Sequence, residues 1–192
     1  MMRFAHPLAL AVALIFLAGP ASAHTGHNAG FALTDGFLHP LMGLDHLLAM
    51  VAVGLLAWQL GGCAVLSLPA AFLGSMALGA AASHWGYEML GIEFLITTSV
   101  IVVGLAVALD VRSPVLASAA VIGLFAFAHG QAHGVEIPLG AGFYAYSVGF
   151  IVATGLLHAF GLGMGSLMPR GAVAVRTAGT IIALAGAGLA VT

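Results

Sequence analysis

Two short stretches set ionisable side chains among apolar ones. "HPLMGLDHLLAM", residues 39–50, carries His39, Asp45 and His46; "FAHGQAHGVEIP", residues 127–138, carries His129, His133 and Glu136. Each such group costs ~2.5–3.5 kcal/mol or more at the centre of a bilayer, so a functional reason is the first one to seek. At ~100° per residue, His39 and His46 lie within ~20° of each other on one continuous helix, sharing a stripe with Gly43 and Met50. Asp45 falls on the flank, where it could face a neighbouring helix or hold the second nitrogen of a histidine, a common way of orienting a metal-bound imidazole. Pro40 is read as near the helix start, where its missing N–H costs little. Gly43 is read as removing bulk beside the site.

In the second stretch, His129, His133 and Glu136 line one face of a helix, so two imidazoles could bind one metal. Gly130 and Gly134 make that helix thin or prone to unwind, and Pro138 limits its continuation. Imidazole donors suit nickel, copper, zinc and iron, whereas carboxylate and water alone would suit magnesium or calcium. Cys63 is the single cysteine, so no thiolate-rich site exists and no intrachain disulfide can form. Met42 and Met50 are read as packing rather than as Cu(I) ligands. The donor chemistry points to a borderline divalent transition-metal cation.

The elements that must position these residues follow from composition. The chain has 192 residues, 62% hydrophobic and 5% charged, with no lysine. A soluble domain carries about 25% charged residues. The expected fold is therefore all-α, a polytopic membrane helix bundle whose solvent is the lipid bilayer. The arginines form no patch, which argues against nucleic acid. No G-x-x-x-x-G-K-[ST] loop is present, which argues against ATP.

Residues 1–23 read as a cleaved signal peptide: one positive charge, the apolar run "LALAVALIFLAG", then Ala21-Ser22-Ala23. Residues 24–192 then form a single domain of six transmembrane helices, placed at about 37–60, 63–83, 92–110, 114–134, 142–167 and 172–191. Cleavage would put the mature N-terminus, with its α-amine, His24 and His27, outside the cytoplasm, where it could capture metal. With that orientation Arg112, Arg170 and Arg176 all fall on the cytoplasmic side, and Glu88, Glu93 and Glu136 on the other. His39, His46, His129 and His133 then share the outer half of the bundle, so one site assembled from spans 1 and 4 is expected. His84 and His158 have two readings each, as hydrogen-bonding groups at helix interfaces or as accessory positions on a path. Small-xxx-small rows at Gly155, Ala159 and Gly163, and at Gly179, Ala183 and Ala187, predict close helix packing.

The two motifs, their placement, the signal peptide and the chain length together resemble the HupE/UreJ family of small bacterial membrane proteins. The resemblance implies nickel supply to hydrogenase or urease through uptake across the inner membrane, with cobalt as the second cation. Carried over, it nominates His39, Asp45, His46, His129, His133 and Glu136. The first motif is also similar, more loosely, to the His-x4-Asp-His element of another nickel/cobalt permease family; here five residues separate His39 from Asp45. The implied protein is no enzyme and has no prosthetic group. It carries Ni2+ or Co2+ from periplasm to cytoplasm, driven by diffusion, a coupled proton or the membrane potential. A divalent cation moving inward gains ~4.6 kcal/mol per 100 mV. Hydrogenase or urease maturation factors are the candidate partners. Two other readings stand beside the permease: an intramembrane metalloenzyme, without an H-E-x-x-H element, and a membrane metal sensor or delivery protein.

Overall fold

The computed structural model describes residues 32–134 and 142–191. The expected signal peptide, His24, His27 and Glu136 lie outside the described residues. The described residues form seven helices and no strand: α1 (Ala32–Met42), α2 (Leu44–Leu60), α3 (Ala64–His84), α4 (Ile92–Ala108), α5 (Val115–Gly134), α6 (Gly142–Ser166) and α7 (Val173–Leu189).

By length and composition α3, α5 and α6 can each cross a membrane, and α1 and α2 meet the same test only as a pair. At ~1.5 Å per residue, α3 and α5 reach the ~30 Å of a hydrocarbon core. The apolar helices α4 and α7 have 17 residues each, at the short limit for a crossing.

The first expected span is not one continuous helix. α1 and α2 meet at an 80° bend. Pro40 lies inside α1, near its end and not its start, and has no N–H to return to the carbonyl four residues before it. Gly43 then adopts an extended conformation (φ −91°, ψ 116°), and α2 begins after it, with Leu47 N–H donating to Gly43 O at 3.0 Å. His39 and His46 therefore do not share a stripe on one helix. They sit on opposite arms of a corner.

α2 is the axis of the bundle. Between its polar ends it is apolar all round, and every residue from Leu48 through Ala57 is buried, as expected for a helix with no face for water or lipid. Helices α3, α4, α6 and α7 pack against it. Its interface with α6 is backbone to backbone: a side chain at Gly54 would collide with His158 O, and one at Gly161 with Val51 O.

Glycine sets two further close approaches. A Cβ at Gly130 would strike Met76 O on α3, and one at Gly79 would strike Phe127 O on α5. Gly130 and Gly134 thus serve contact with α3, and α5 stays helical through both rather than unwinding. The row at Gly179 and Ala183 does pack, against Gly104 and Ala108 of α4, although Ala187 is exposed. The row at Gly155, Ala159 and Gly163 does not. Among the described residues nothing lies within 4 Å of where a Cβ would stand on either glycine, Ala159 is exposed, and α6 instead buries Gly149, Gly161 and Gly165. A glycine-rich helix offers several such rows, and spacing alone does not select the one that packs.

Arg112, Arg170 and Arg176 gather at one end of the bundle and hold backbone. Arg112 Nη1 donates to Gln59 O at 2.5 Å, and Arg170 Nε donates to Trp58 O at 2.9 Å while its guanidinium lies 4.3 Å over the Trp58 ring. Arg176 Nε donates to Ala108 O at 2.9 Å. The last carbonyls of α2 and α4 lack helical donors, and cations favour the negative end of the helix dipole.

Candidate functional site

The opposite end of α2 holds the histidines. Asp45, in its first turn, accepts two hydrogen bonds at Oδ1, from the backbone N–H and from Nδ1 of His46, each 2.8 Å. His46 points into the bundle and is buried. Its Nε2 lies 2.5 Å from Nε2 of His133, and Nδ1 of His133 lies 2.8 Å from Nε2 of His39. The corner at Gly43 makes this meeting feasible. On a straight helix, residues seven apart are separated by ~10.5 Å along the axis; here both arms reach one imidazole, from either side.

The proton order of this chain follows from one end. With Asp45 as the carboxylate, His46 Nδ1 must carry the proton and its Nε2 the lone pair. His133 then donates from Nε2 to His46, and His39 donates from Nε2 to Nδ1 of His133. Every bond in the line points toward Asp45. A side chain at Gly43 would intrude here, its Cβ 2.9 Å from Asp45 Oδ1 and 3.1 Å from His46 Nδ1.

His129, one turn below His133 on the same face of α5, is fully buried, with its ring centroid 4.5 Å from that of His46. Its Nε2 lies 2.9 Å from Oγ of Ser99, which itself donates to Ile96 O at 2.6 Å. A hydroxyl has one proton, so Ser99 accepts from His129 Nε2–H. His129 Nδ1 is left as a buried lone pair with no hydrogen-bond partner.

Aromatic rings wall the cluster. Phe150 lies 5.0 Å from His133 and 5.7 Å from His39, and Tyr146 lies 5.9 Å from His39. An apolar cavity of about 230 Å³ between α3, α5 and α6 reaches His133. Gln131 holds the α3–α4 loop beside the cluster: its Nε2 donates to Tyr87 O at 2.9 Å, and its Oε1 accepts from Met89 N–H at 2.8 Å.

The structure thus brings together His39, Asp45, His46, His129 and His133, from both motifs. His84 is apart and exposed, its ring 5.1 Å from Phe143. His158 is deeper, buried against Phe72 at 4.9 Å. Met50 belongs to the core, and Met42 is 62% exposed. Ser99, Gln131, Phe72 and Phe150 are absent from the sequence reading. Gln131 carried a signal, as an amide between two motif histidines; Ser99, one hydroxyl in the run "TTS", carried a faint one; the two phenylalanines carried none.

Among the described residues, no three His, Cys, Asp or Glu side chains are arranged around a point that would hold a metal ion. The imidazoles are strung in a line and satisfy one another. Two nitrogens each ~2.0–2.1 Å from a tetrahedral ion stand ~3.4 Å apart. The spacings of 2.5 and 2.8 Å are shorter. To admit a cation, His46 and His133 must part and the Nε2 proton of His133 must leave or shift to Nδ1.

The sequence matches the family model described as HupE / UreJ protein over residues 12–189. It is 42% identical over 182 residues to "Protein HupE" of Rhizobium leguminosarum bv. viciae, covering 94% of this chain and 95% of that protein. No solved structure matches it. The chain belongs to the HupE/UreJ family.

Proposed function

We propose that this protein is an inner-membrane permease, a carrier and not an enzyme, that takes a divalent transition-metal cation from periplasm to cytoplasm. Nickel is the first candidate and cobalt the second, for hydrogenase or urease maturation. The observation that carries the reading is the meeting of His39, His46 and His133 at one end of α2, with Asp45 behind His46. Three imidazoles from separate arms, at the end opposite the arginines, offer the borderline donors that nickel and cobalt accept. The motif resemblance contributes the nickel.

In this account α1–α2 form one bent span, and α3 to α7 complete six, with the histidine end facing the periplasm. His46, His133 and His39 hold the arriving ion, His129 Nδ1 offers the next lone pair inward, and Asp45 fixes His46 with Nε2 as its ligating atom. Glu136, two residues after Gly134 in the sequence, would add charge. The donors of the site are held in hydrogen bonds to one another. Binding must break them and displace a proton, which weakens affinity. Weak, reversible capture suits a carrier that must release its cargo.

The test is initial-rate uptake of radiolabelled nickel into proteoliposomes. His46→Ala and His133→Ala should each lower it at least ~10-fold. Wild-type uptake by both variants removes this site. Nickel binding without accumulation by the wild type removes the permease.

A further inference from the structure

The histidine cluster does not end the polar path. On α6, Phe150, Thr154 and His158 recur every four residues on the buried face, a descent of ~6 Å per step. Phe150 touches His133 and His39. Thr154 is 0% exposed, and Oγ1 has no hydrogen-bond partner among the described residues. His158 is 1% exposed, and neither Nδ1 nor Nε2 has one. On the facing side, His129 Nδ1 is buried and unpaired too. Phe72 of α3 stands between the two histidines, its ring centroid 5.6 Å from His129 and 4.9 Å from His158, the latter pair edge to face.

Buried polar atoms almost always find a partner, and those that do not need an explanation. An N–H aimed at the Phe72 face would satisfy one nitrogen of His158 weakly. It leaves the other nitrogen and the Thr154 hydroxyl unaccounted for. His158 sits midway along α2, its carbonyl against Gly54, with Thr154 one turn nearer the histidine cluster. Trp58, Gln59, Ser67 and Asp110, which also hold unpaired buried atoms, belong to the arginine end and form a separate set.

We propose that His158, with Thr154, is a second, inner station for the transported cation, divided from His129 by the Phe72 ring. This rests on the permease reading. An ion leaving His129 passes Phe72 and meets one imidazole lone pair and one hydroxyl, its other positions filled by water. Two protein donors make a brief stop, and a brief stop between entry and exit raises the rate of passage without deepening capture.

The experiment uses the full chain in proteoliposomes for nickel uptake and in lipid nanodiscs for equilibrium dialysis of nickel ion. His158→Phe keeps a ring against Phe72 and removes the donors. It should lower the maximal uptake rate about 10-fold at a KM within ~2-fold of wild type, and remove one bound nickel per chain at saturation. His133→Ala should lose uptake and keep the inner ion. If His133→Ala loses uptake while His158→Phe keeps both rate and stoichiometry, the inner station is overturned and the permease stands. If the wild type does not accumulate nickel, the permease fails, and the bound-ion difference between wild type and His158→Phe decides the station alone. Should His158→Phe not fold, the isosteric Thr154→Val takes its place, with a ~3-fold loss of rate expected and an unchanged rate overturning the proposal.

Discussion

The two ends of α2 both carry polar side chains into an apolar bundle, and they use them differently. At one end Asp45 and His46 join His133 and His39, side chain to side chain. At the other, Arg112 and Arg170 turn to the carbonyls of Gln59 and Trp58. The arginine end completes a helix terminus, work that any helix entering lipid must have done for it. The histidine end touches backbone at Asp45, which accepts the His46 N–H in the first turn of α2, but its imidazoles turn elsewhere. The imidazoles of His46, His133 and His39 meet one another from separate helices, through lone pairs and protons that the permease reading exchanges for a cation. Polar residues that bond to backbone hold the fold; polar residues that bond to one another from separate helices are available for chemistry.

That contrast can be broken by mutation. The largest effect should come from His133→Ala, which cuts the line at its middle: nickel uptake should fall to within a few per cent of background, with the unfolding midpoint in detergent little changed. Asp45→Asn should be next. The amide retains an acceptor for His46 but loses the charge, and nickel affinity measured by titration calorimetry should drop ~10–100-fold. Acidification should act on the histidine end alone. Protons compete with the cation for imidazole lone pairs, so uptake is present near pH ~7 and lost as the medium falls toward pH ~5. Arginine stays charged over that range, so the arginine end contributes no pH dependence.

Smaller effects sharpen the comparison. Gly43→Ala places a Cβ 2.9 Å from Asp45 Oδ1 without forcing an unusual backbone. It should raise the KM for uptake ~3-fold and leave the helix content by circular dichroism unchanged. At the other end Arg112→Gln should do the reverse. The side chain is about half exposed, so stability should fall by only ~1 kcal/mol in thermal unfolding, with KM unaltered. A raised KM in Arg112→Gln would erase the distinction between the ends.

Much of this was legible in the sequence. Apolar runs bounded by turn residues located α3 to α7 to within two residues at either end, because burial of a helix in lipid needs little more than length and composition. The spacing of His129 and His133 put them on one face of α5, since that face depends only on the helical period. The corner at Gly43 was not legible: hydropathy passes smoothly over "HPLMGLD", while the bend depends on a missing N–H at Pro40 and one extended glycine. The straight-helix stripe of His39 and His46 failed for that reason, although the two residues do meet His133. Ser99 and Phe72 stayed hidden because they take meaning only from the helix opposite.

In the permease reading the imidazole line holds the cation. The most direct measurement is nickel binding to the purified full chain in nanodiscs, wild type against His133→Ala, by titration calorimetry. The account predicts that the wild type binds and that His133→Ala loses at least ~100-fold in affinity at the outer site. Equal affinity in the two proteins would contradict it.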